Sequence, residues 1–322
     1  MEQRNILVLG AGGQLGTELV RELRAVHGPG RVIASDIREK PEMSEGGPFE
    51  QLDILNQKGL GDLFNRQKIS QVYLLAALLS ASGELRPGEA WDLNMRGLLQ
   101  VLELARQHHC QVFWPSSIAV FGHSAPRISC PNEAVQEPST VYGISKSAGE
   151  LWCRYYFERY GVDVRSVRYP GLISYEAVPG GGTTDYAVEI FEAAVSGRHY
   201  PCYLRADTRL PMMYMPDAIR AALEIMAAPA ARLSVRTSYN VAAVSFTPRL
   251  IAASIQRHIP ELSWESVPDY RQKIAESWPG SIDDSLARHD WNWKPRYGIK
   301  EITDDMIAHV TPEKSQQMME KI

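Results

Sequence analysis

The segment ILVLGAGGQLGTELVRELRAV, residues 6–26, reads as a strand, a glycine turn and a helix. Ile6 to Leu9 is a short apolar run, and Gly10, Gly13 and Gly16 follow three residues apart, where the chain must turn from strand into helix. Glycines there permit the tight turn, let backbone amides approach a pyrophosphate and let the helix pack closely on the sheet, while the helix start carries partial positive charge. Gln14 and Leu15 lie between the last two glycines, at that start. Asp36 stands 20 residues past Gly16, directly after the strand-like RVIAS. A carboxylate in this place accepts hydrogen bonds from both hydroxyls of an adenosine ribose and repels a phosphate, so NAD is expected rather than NADP despite the nearby Arg38. Asp53, which follows the third strand in LDIL, is placed to accept from an adenine amino group, although an aspartate after a strand equally caps a helix.

Outward from this unit, short apolar runs bounded by glycine or aspartate alternate with helical patterns. Strands are expected over residues 6–9, 32–35, 49–53, 72–76, 112–114 and 164–168, with helices such as 14–26 and 89–108 between them. That alternation is an α/β layout, a doubly wound parallel sheet of the Rossmann kind. The fourth strand runs through Leu75, Ala76 and Ala77 into small residues that would let a dinucleotide lie across the carboxyl edge of the sheet. Past residue 170 the texture changes to PGGGTTDY (179–186), a stretch rich in Pro, Met and Tyr (200–216) and a Trp-rich tail (276–293). A helix over 217–226 and a strand-like run over 239–244 return to the earlier pattern. The expected division is a cofactor domain over 1–170 with returns near 214–244, and a smaller, discontinuous C-terminal substrate lobe mainly in 171–322.

With 322 residues, 44% of them hydrophobic and 22% charged, the chain has the composition of a folded protein and not of a disordered or fibrous one. A net charge of -4 gives no general basic field, which argues against nucleic acid as a partner. Cys110, Cys130, Cys153 and Cys202 are far apart and form no CxxC pair, against both a disulfide scaffold and a zinc site and in keeping with reduced thiols in a cytoplasm. His108 and His109 are neighbours on one expected helix, where side chains point about 100° apart, so no metal site is expected from them. No apolar run reaches the roughly 20 residues that cross a bilayer, and no leader precedes the first strand, so a cytoplasmic protein with no membrane partner is expected.

The chemistry-bearing segment is STVYGISKSAGE (139–150), where Tyr142 and Lys146 are four apart at the start of an expected helix and so share a face. A phenol is a poor base near neutral pH; an adjacent ammonium and a positive nicotinamide ring stabilise the phenolate and bring its pKa down from about 10. Upstream, Ser116 and Ser117 follow the strand at 112–114, where a hydroxyl can bond the reacting oxygen.

The glycine spacing, PSSIAVFG (115–122) and YGISK (142–146) resemble the extended short-chain dehydrogenase/reductase family, which includes nucleotide-sugar epimerases and dehydratases. The resemblance implies Tyr142 as the acid/base, Lys146 as its electrostatic partner, Ser117 as the triad serine, and Asn94 as support for the lysine through backbone or water contacts. It also places Tyr169 and Pro170 beside the nicotinamide. Within the family, AALLSASGE, RYPGLIS and above all PGGGTTDYAVEIF (179–191) resemble the branch that oxidises L-threonine. That closer resemblance puts Ser80, Thr183, Thr184, Asp185 and Trp278 around the substrate with Ser117 and Tyr142.

A threonine pocket must pair an ammonium and a carboxylate, and Gly182, Thr183 and Thr184 at a helix start would offer donors to the latter. The triple glycine is a candidate hinge, so the segment 180–185 is expected to order on ligand binding, with Trp278 either closing over it or simply packed in the core. Two competing readings remain at this stage, a nucleotide-sugar epimerase or dehydratase and a non-catalytic NAD-sensing regulator. The helices 89–108 and 141–160 carry apolar residues, including Leu98, Leu102, Leu151, Trp152 and Tyr155, that either form a homodimer contact or cover the sheet.

Overall fold

The computed structural model describes residues 4–176 and 181–311; Gly180, with which the expected hinge begins, lies outside them. The chain starts β1 (Asn5–Leu9), β2 (Val32–Asp36), β3 (Phe49–Gln51), β4 (Ile69–Leu74) and β5 (Gln111–Phe113) in one parallel sheet. A short β6 (Ser116–Ser117) leaves for a neighbouring sheet, and β7 (Val164–Arg165) returns. The order is β3-β2-β1-β4-β5-β7, the doubly wound arrangement expected from the alternating pattern. Its direction reverses between β1 and β4, and crevices at such a switch point hold ligands.

β1 shows why a continuous apolar run is needed. Successive side chains point to opposite faces, and both faces are covered. Ile6 and Val8 join Val32, Ala34 and Tyr73 under the helices Gln14–His27 and Met215–Ala227. Leu7 and Leu9 join Val72 and Leu74 under the helices Gly97–His108 and Val141–Tyr160, in a core that includes Leu98, Leu102 and Trp114. A third core, with Ile190, Phe191, Tyr214 and Phe246, builds the smaller lobe around the helix Tyr186–Val195.

Several expected elements come out divided. The run 164–168 breaks at Ser166, whose hydroxyl bonds Ser238 at 2.9 Å; β8 (Val167–Tyr169) then pairs with β6 and with Tyr239–Asn240. The strand-like run 239–244 is thus two strands in different sheets, since Val244–Phe246 pairs with Leu210–Tyr214. The expected helix 89–108 is Pro87–Trp91, a π turn at Asp92–Arg96 and Gly97–His108, following a separate helix Ser80–Leu85. Gly97 sits where a Cβ would come within 2.4 Å of Ile54 Cδ1, so close helix packing accompanies the irregular turn. No described helix is long and apolar enough to cross a membrane.

Candidate active site

The turn after β1 is shaped by two kinds of glycine. Gly10 has φ +84°, and a Cβ there would fall 2.4 Å from the Ala76 amide nitrogen; at Gly16 it would fall 2.3 Å from Gly10 O. These two are required by the fold. Gly13 is different: a Cβ there would meet Gly10 O at 3.5 Å, an ordinary contact, in an extended conformation open to any residue. Its small size leaves space on the ligand side. Gly13 is also the N-cap of the helix Gln14–His27, which has no side-chain cap and no acidic residue in its first turn. The helix start therefore keeps its amides and partial charge for an anion. Gln14 Nε2 is buried there without a partner among the described residues. A pyrophosphate fits these features.

Asp36, half-buried at the end of β2, accepts from the Gly12 amide at 2.8 Å, so its carboxylate borders the turn. Lys40 Nζ donates to Gly12 O at 2.6 Å, a contact that the sequence reading missed, while Arg38 is exposed. Asp53 accepts from the Leu55 amide at 2.9 Å in the turn before the helix Gln57–Arg66, whose N-cap is Asn56; like Asp36 and Arg38 it is not among the residues lining the cleft. Ala76 packs beneath Gly10 and does not line the cleft either.

One cleft of about 280 Å³ runs from the turn to the smaller lobe. Gly10, Gly13, Gln14, Leu15 and Gly16 form one end, with Leu75 and Ala77 beside them. Ser117, Tyr142, Lys146, Tyr169 and Pro170 form its middle. Ser80, Thr183, Thr184, Asp185 and Trp278 close the far end, where Leu79 and Leu172, which the sequence did not single out, also contribute. The expected Tyr, Lys and Ser are therefore brought together on one side of the glycine turn.

Tyr142 and Lys146 lie on one face of the helix Val141–Tyr160, whose N-cap Thr140 accepts from the Gly143 amide at 3.0 Å. The Lys146 Nζ donates to Pro115 O at 2.6 Å, 4.4 Å from the centre of the Trp114 ring and 5.5 Å from that of Tyr142. Burial pushes this ammonium down to about 7. Burial pushes the Tyr142 phenol up to about 12, against a hydrogen bond with Ser117 that favours its ionised form. The chain by itself thus raises the phenol pKa, because loss of hydration outweighs the one favourable neighbour, Ser117; the expected lowering rests on the ammonium together with a nicotinamide ring.

Asn94 makes no direct contact with Lys146. From the π turn, its Oδ1 accepts from the Leu78 amide at 2.9 Å, and its Nδ2 donates to Leu78 O and to Ser145 Oγ, both at 3.1 Å. It ties the segment after β4 to the residue beside Lys146. Tyr169 contributes its buried ring, since its hydroxyl is committed to Ala218 O at 2.6 Å.

At the far end the expected donor set is corrected. Asp185 Oδ2 accepts from the amides of Gly181 (3.0 Å) and Gly182 (2.7 Å), so the Gly182 amide serves the loop's own carboxylate instead of an incoming anion. Burial pushes the Asp185 carboxyl up to about 7 against these two amides. The Ser80 and Thr183 hydroxyls share a hydrogen bond at 3.2 Å. Trp278 is 5% exposed and lines the cleft, so it is core and wall at once. Among the described residues no group of three or more His, Cys, Asp or Glu gathers to hold a metal, and all four cysteines are free and buried.

Comparisons with known proteins bear on the family. Residues 6–242 match the model of the NAD dependent epimerase/dehydratase family. An uncharacterized epimerase/dehydratase of Staphylococcus haemolyticus is 46% identical over 308 residues, covering 95% of this chain and 97% of that protein. The holo form of a GalE-like L-threonine dehydrogenase from Cupriavidus necator is 56% identical, with a TM-score of 0.92 over 94% of this chain and 99% of that one. An L-threonine dehydrogenase from Clostridium difficile is 43% identical, with a TM-score of 0.94 over 98% and 99%.

Proposed function

The chain belongs to the NAD-dependent epimerase/dehydratase family, and from that premise we propose that it oxidises the β-hydroxyl of L-threonine, giving 2-amino-3-oxobutanoate and NADH. One observation carries the reading: Ser117, Tyr142 and Lys146 share a small cleft with the glycine turn on one side and a ring of Ser80, Thr183, Thr184 and Asp185 on the other. The likeness to two L-threonine dehydrogenases supports the choice of substrate.

NAD, when bound, supplies the hydride acceptor. The amides at the start of the helix Gln14–His27 and Gln14 Nε2 hold its pyrophosphate, and Asp36 accepts from the adenosine ribose and repels a phosphate in that place. Tyr142 takes the β-hydroxyl proton. Its phenolate is stabilised by the Ser117 hydroxyl and the Lys146 ammonium, together with the positive charge of an oxidised nicotinamide, and these offset the burial that raises the phenol in the chain alone. Ser117 orients the same oxygen. Asp185 supplies the negative charge that the substrate ammonium requires, and the Ser80, Thr183 and Thr184 hydroxyls supply donors for its carboxylate.

A nucleotide sugar is the competing substrate, favoured by the epimerase/dehydratase name of the Staphylococcus haemolyticus relative. The likeness to L-threonine dehydrogenases at 56% and 43% identity favours the amino acid. Absorbance at the reduced-nicotinamide band, followed with NAD and a panel of hydroxy amino acids and nucleotide sugars, separates the two. Threonine-dependent NADH formation is the expected result; release of a tightly held NAD and reaction only with a nucleotide sugar would remove the proposal.

A cytoplasmic homodimer completes it. Leu98 and Leu102 are fully buried within the chain, so they are not partner contacts, whereas Leu151, Trp152 and Tyr155 stand 52%, 39% and 45% exposed along one helix and form the contact with a second copy.

A further inference from the structure

The helix Val141–Tyr160 carries a third polar residue at the same spacing, one turn beyond Lys146. Tyr142, Lys146 and Glu150 are successive i, i+4 neighbours. Glu150 has no solvent exposure, yet each of its oxygens accepts two hydrogen bonds. Oε1 accepts from Ser116 Oγ (2.6 Å) and Arg168 Nε (2.8 Å); Oε2 accepts from Gln136 Nε2 (2.6 Å) and an Arg168 terminal nitrogen (2.7 Å). An acceptor served by four donors is an ionised carboxylate fully occupied in place.

The donors are what give this pattern meaning. Ser116 stands between Pro115, whose carbonyl holds the Lys146 ammonium, and Ser117, whose hydroxyl faces Tyr142. Arg168 precedes Tyr169 and Pro170 in the cleft wall, and its other terminal nitrogen bonds Asn132 O and Asn240 Oδ1. The carboxylate thus joins the catalytic helix to both segments that border the reacting atoms. Charge points the same way. Arg168 and Lys146 are both buried cations, and Glu150 is the buried anion that faces them. The titratable groups acting on Lys146 are Glu150 and Cys153 on its own helix, with Tyr142 one turn back; Trp114 and Pro115 offer it a ring and a carbonyl, and Arg168 reaches it through Glu150.

Resting on the threonine oxidation read above, we propose that Glu150 is a positioning residue for this chemistry: it holds Ser116–Ser117 and Arg168–Pro170 in register with Tyr142 and Lys146, and its charge keeps Lys146 an ammonium. Without that charge Arg168 loses its buried ion pair and Lys146 loses an anion one turn away, and the lysine is the one that can release a proton, because a guanidinium does not. Cys153 and then Glu150 raise the Lys146 pKa against burial, and of the two the carboxylate is the one that is charged near neutral pH, because burial holds the Cys153 thiol protonated.

Two readouts on folded, NAD-saturated protein test this. In Glu150→Gln the alkaline limb of the kcat profile, where the ammonium is lost, moves down by about one unit or more, and kcat at its optimum falls about ten-fold or more while the affinity for NAD changes little. Glu150→Asp keeps the charge and returns the limb to its wild-type position. Titration of the Lys146 Nζ by NMR in 15N-lysine protein shows the same downward shift without any substrate. A wild-type protein that does not oxidise threonine overturns the functional reading, and the NMR titration then decides on Glu150 independently. Folded Glu150→Gln with an unmoved lysine titration overturns the proposal. Should Glu150→Gln not fold, Ser116→Ala, which deletes one donor and keeps the charge, lowers kcat about three-fold or more with the limb unmoved; an unchanged kcat there overturns it equally.

Discussion

Asp185 is the residue at which stability and function oppose each other. Its carboxyl is raised to about 7 by burial, so between the unfolded value near 4 and 7 the folded state binds the extra proton. The associated stability is present at low pH and is lost as pH rises through about 7. The substrate ammonium needs the ionised form, so the KM for threonine is predicted to fall as pH rises from 6 to 8 through that value. Asp185→Asn keeps an oxygen for the Gly181 and Gly182 amides and removes the charge. It should raise the threonine KM about ten-fold or more and flatten its pH dependence, while stabilising the fold at pH 8 by roughly 1–3 kcal/mol. Initial rates and thermal melts at pH 6 and 8 check both halves. At this scale the sequence is legible where position along the chain decides a role. Asp36 stands at a strand end beside a glycine turn and keeps that place in three dimensions. Asp53 stands after a strand as well, and only the fold reveals that its carboxylate turns to the Leu55 amide. The engagement of the Gly182 amide by Asp185 was hidden for the same reason, since Asp185 folds back onto amides that spacing alone leaves open.

Elements make a second kind of prediction, because the glycines of the first turn separate fold from ligand. Gly16→Ala places a methyl 2.3 Å from Gly10 O, so it should lower stability by about 2 kcal/mol or more and abolish NAD binding. Gly13→Ala meets only an ordinary contact at 3.5 Å and should leave stability within about 0.5 kcal/mol, yet weaken NAD about ten-fold because its methyl occupies the ligand side. Calorimetric titration with NAD alongside denaturant melts checks the pair; equal loss of stability in both variants would contradict the distinction. The helix Val141–Tyr160 was legible to within its caps, from the four-residue spacing of Tyr142 and Lys146 and the apolar and aromatic residues that follow. The helix before it was not, because the π turn that carries Asn94 leaves no periodic trace in a segment whose apolar residues still recur at helical intervals.

For the whole molecule, the parallel sheet was readable because burial on both faces leaves continuous apolar runs such as Ile6–Leu9. The smaller lobe was less so: its strands are three to five residues long and pair with partners distant in sequence, as Leu210–Tyr214 does with Gly171–Ile173. Quaternary structure belongs to this scale too. The exposed stripe of Leu151, Trp152 and Tyr155 predicts a dimer in solution, and Trp152→Glu with Leu151→Glu should yield a folded monomer by light scattering; a monomeric wild type at micromolar concentration would remove the contact. What joins the scales is the claim that sheet, turn and helix converge to set one phenol against a substrate alcohol. Rapid mixing of the NAD-saturated protein with L-threonine, in wild type and Tyr142→Phe, tests it most directly. The account predicts NADH appearing in a single turnover about 100-fold or more slower in the variant with NAD affinity unchanged; equal rates in the two proteins would contradict it.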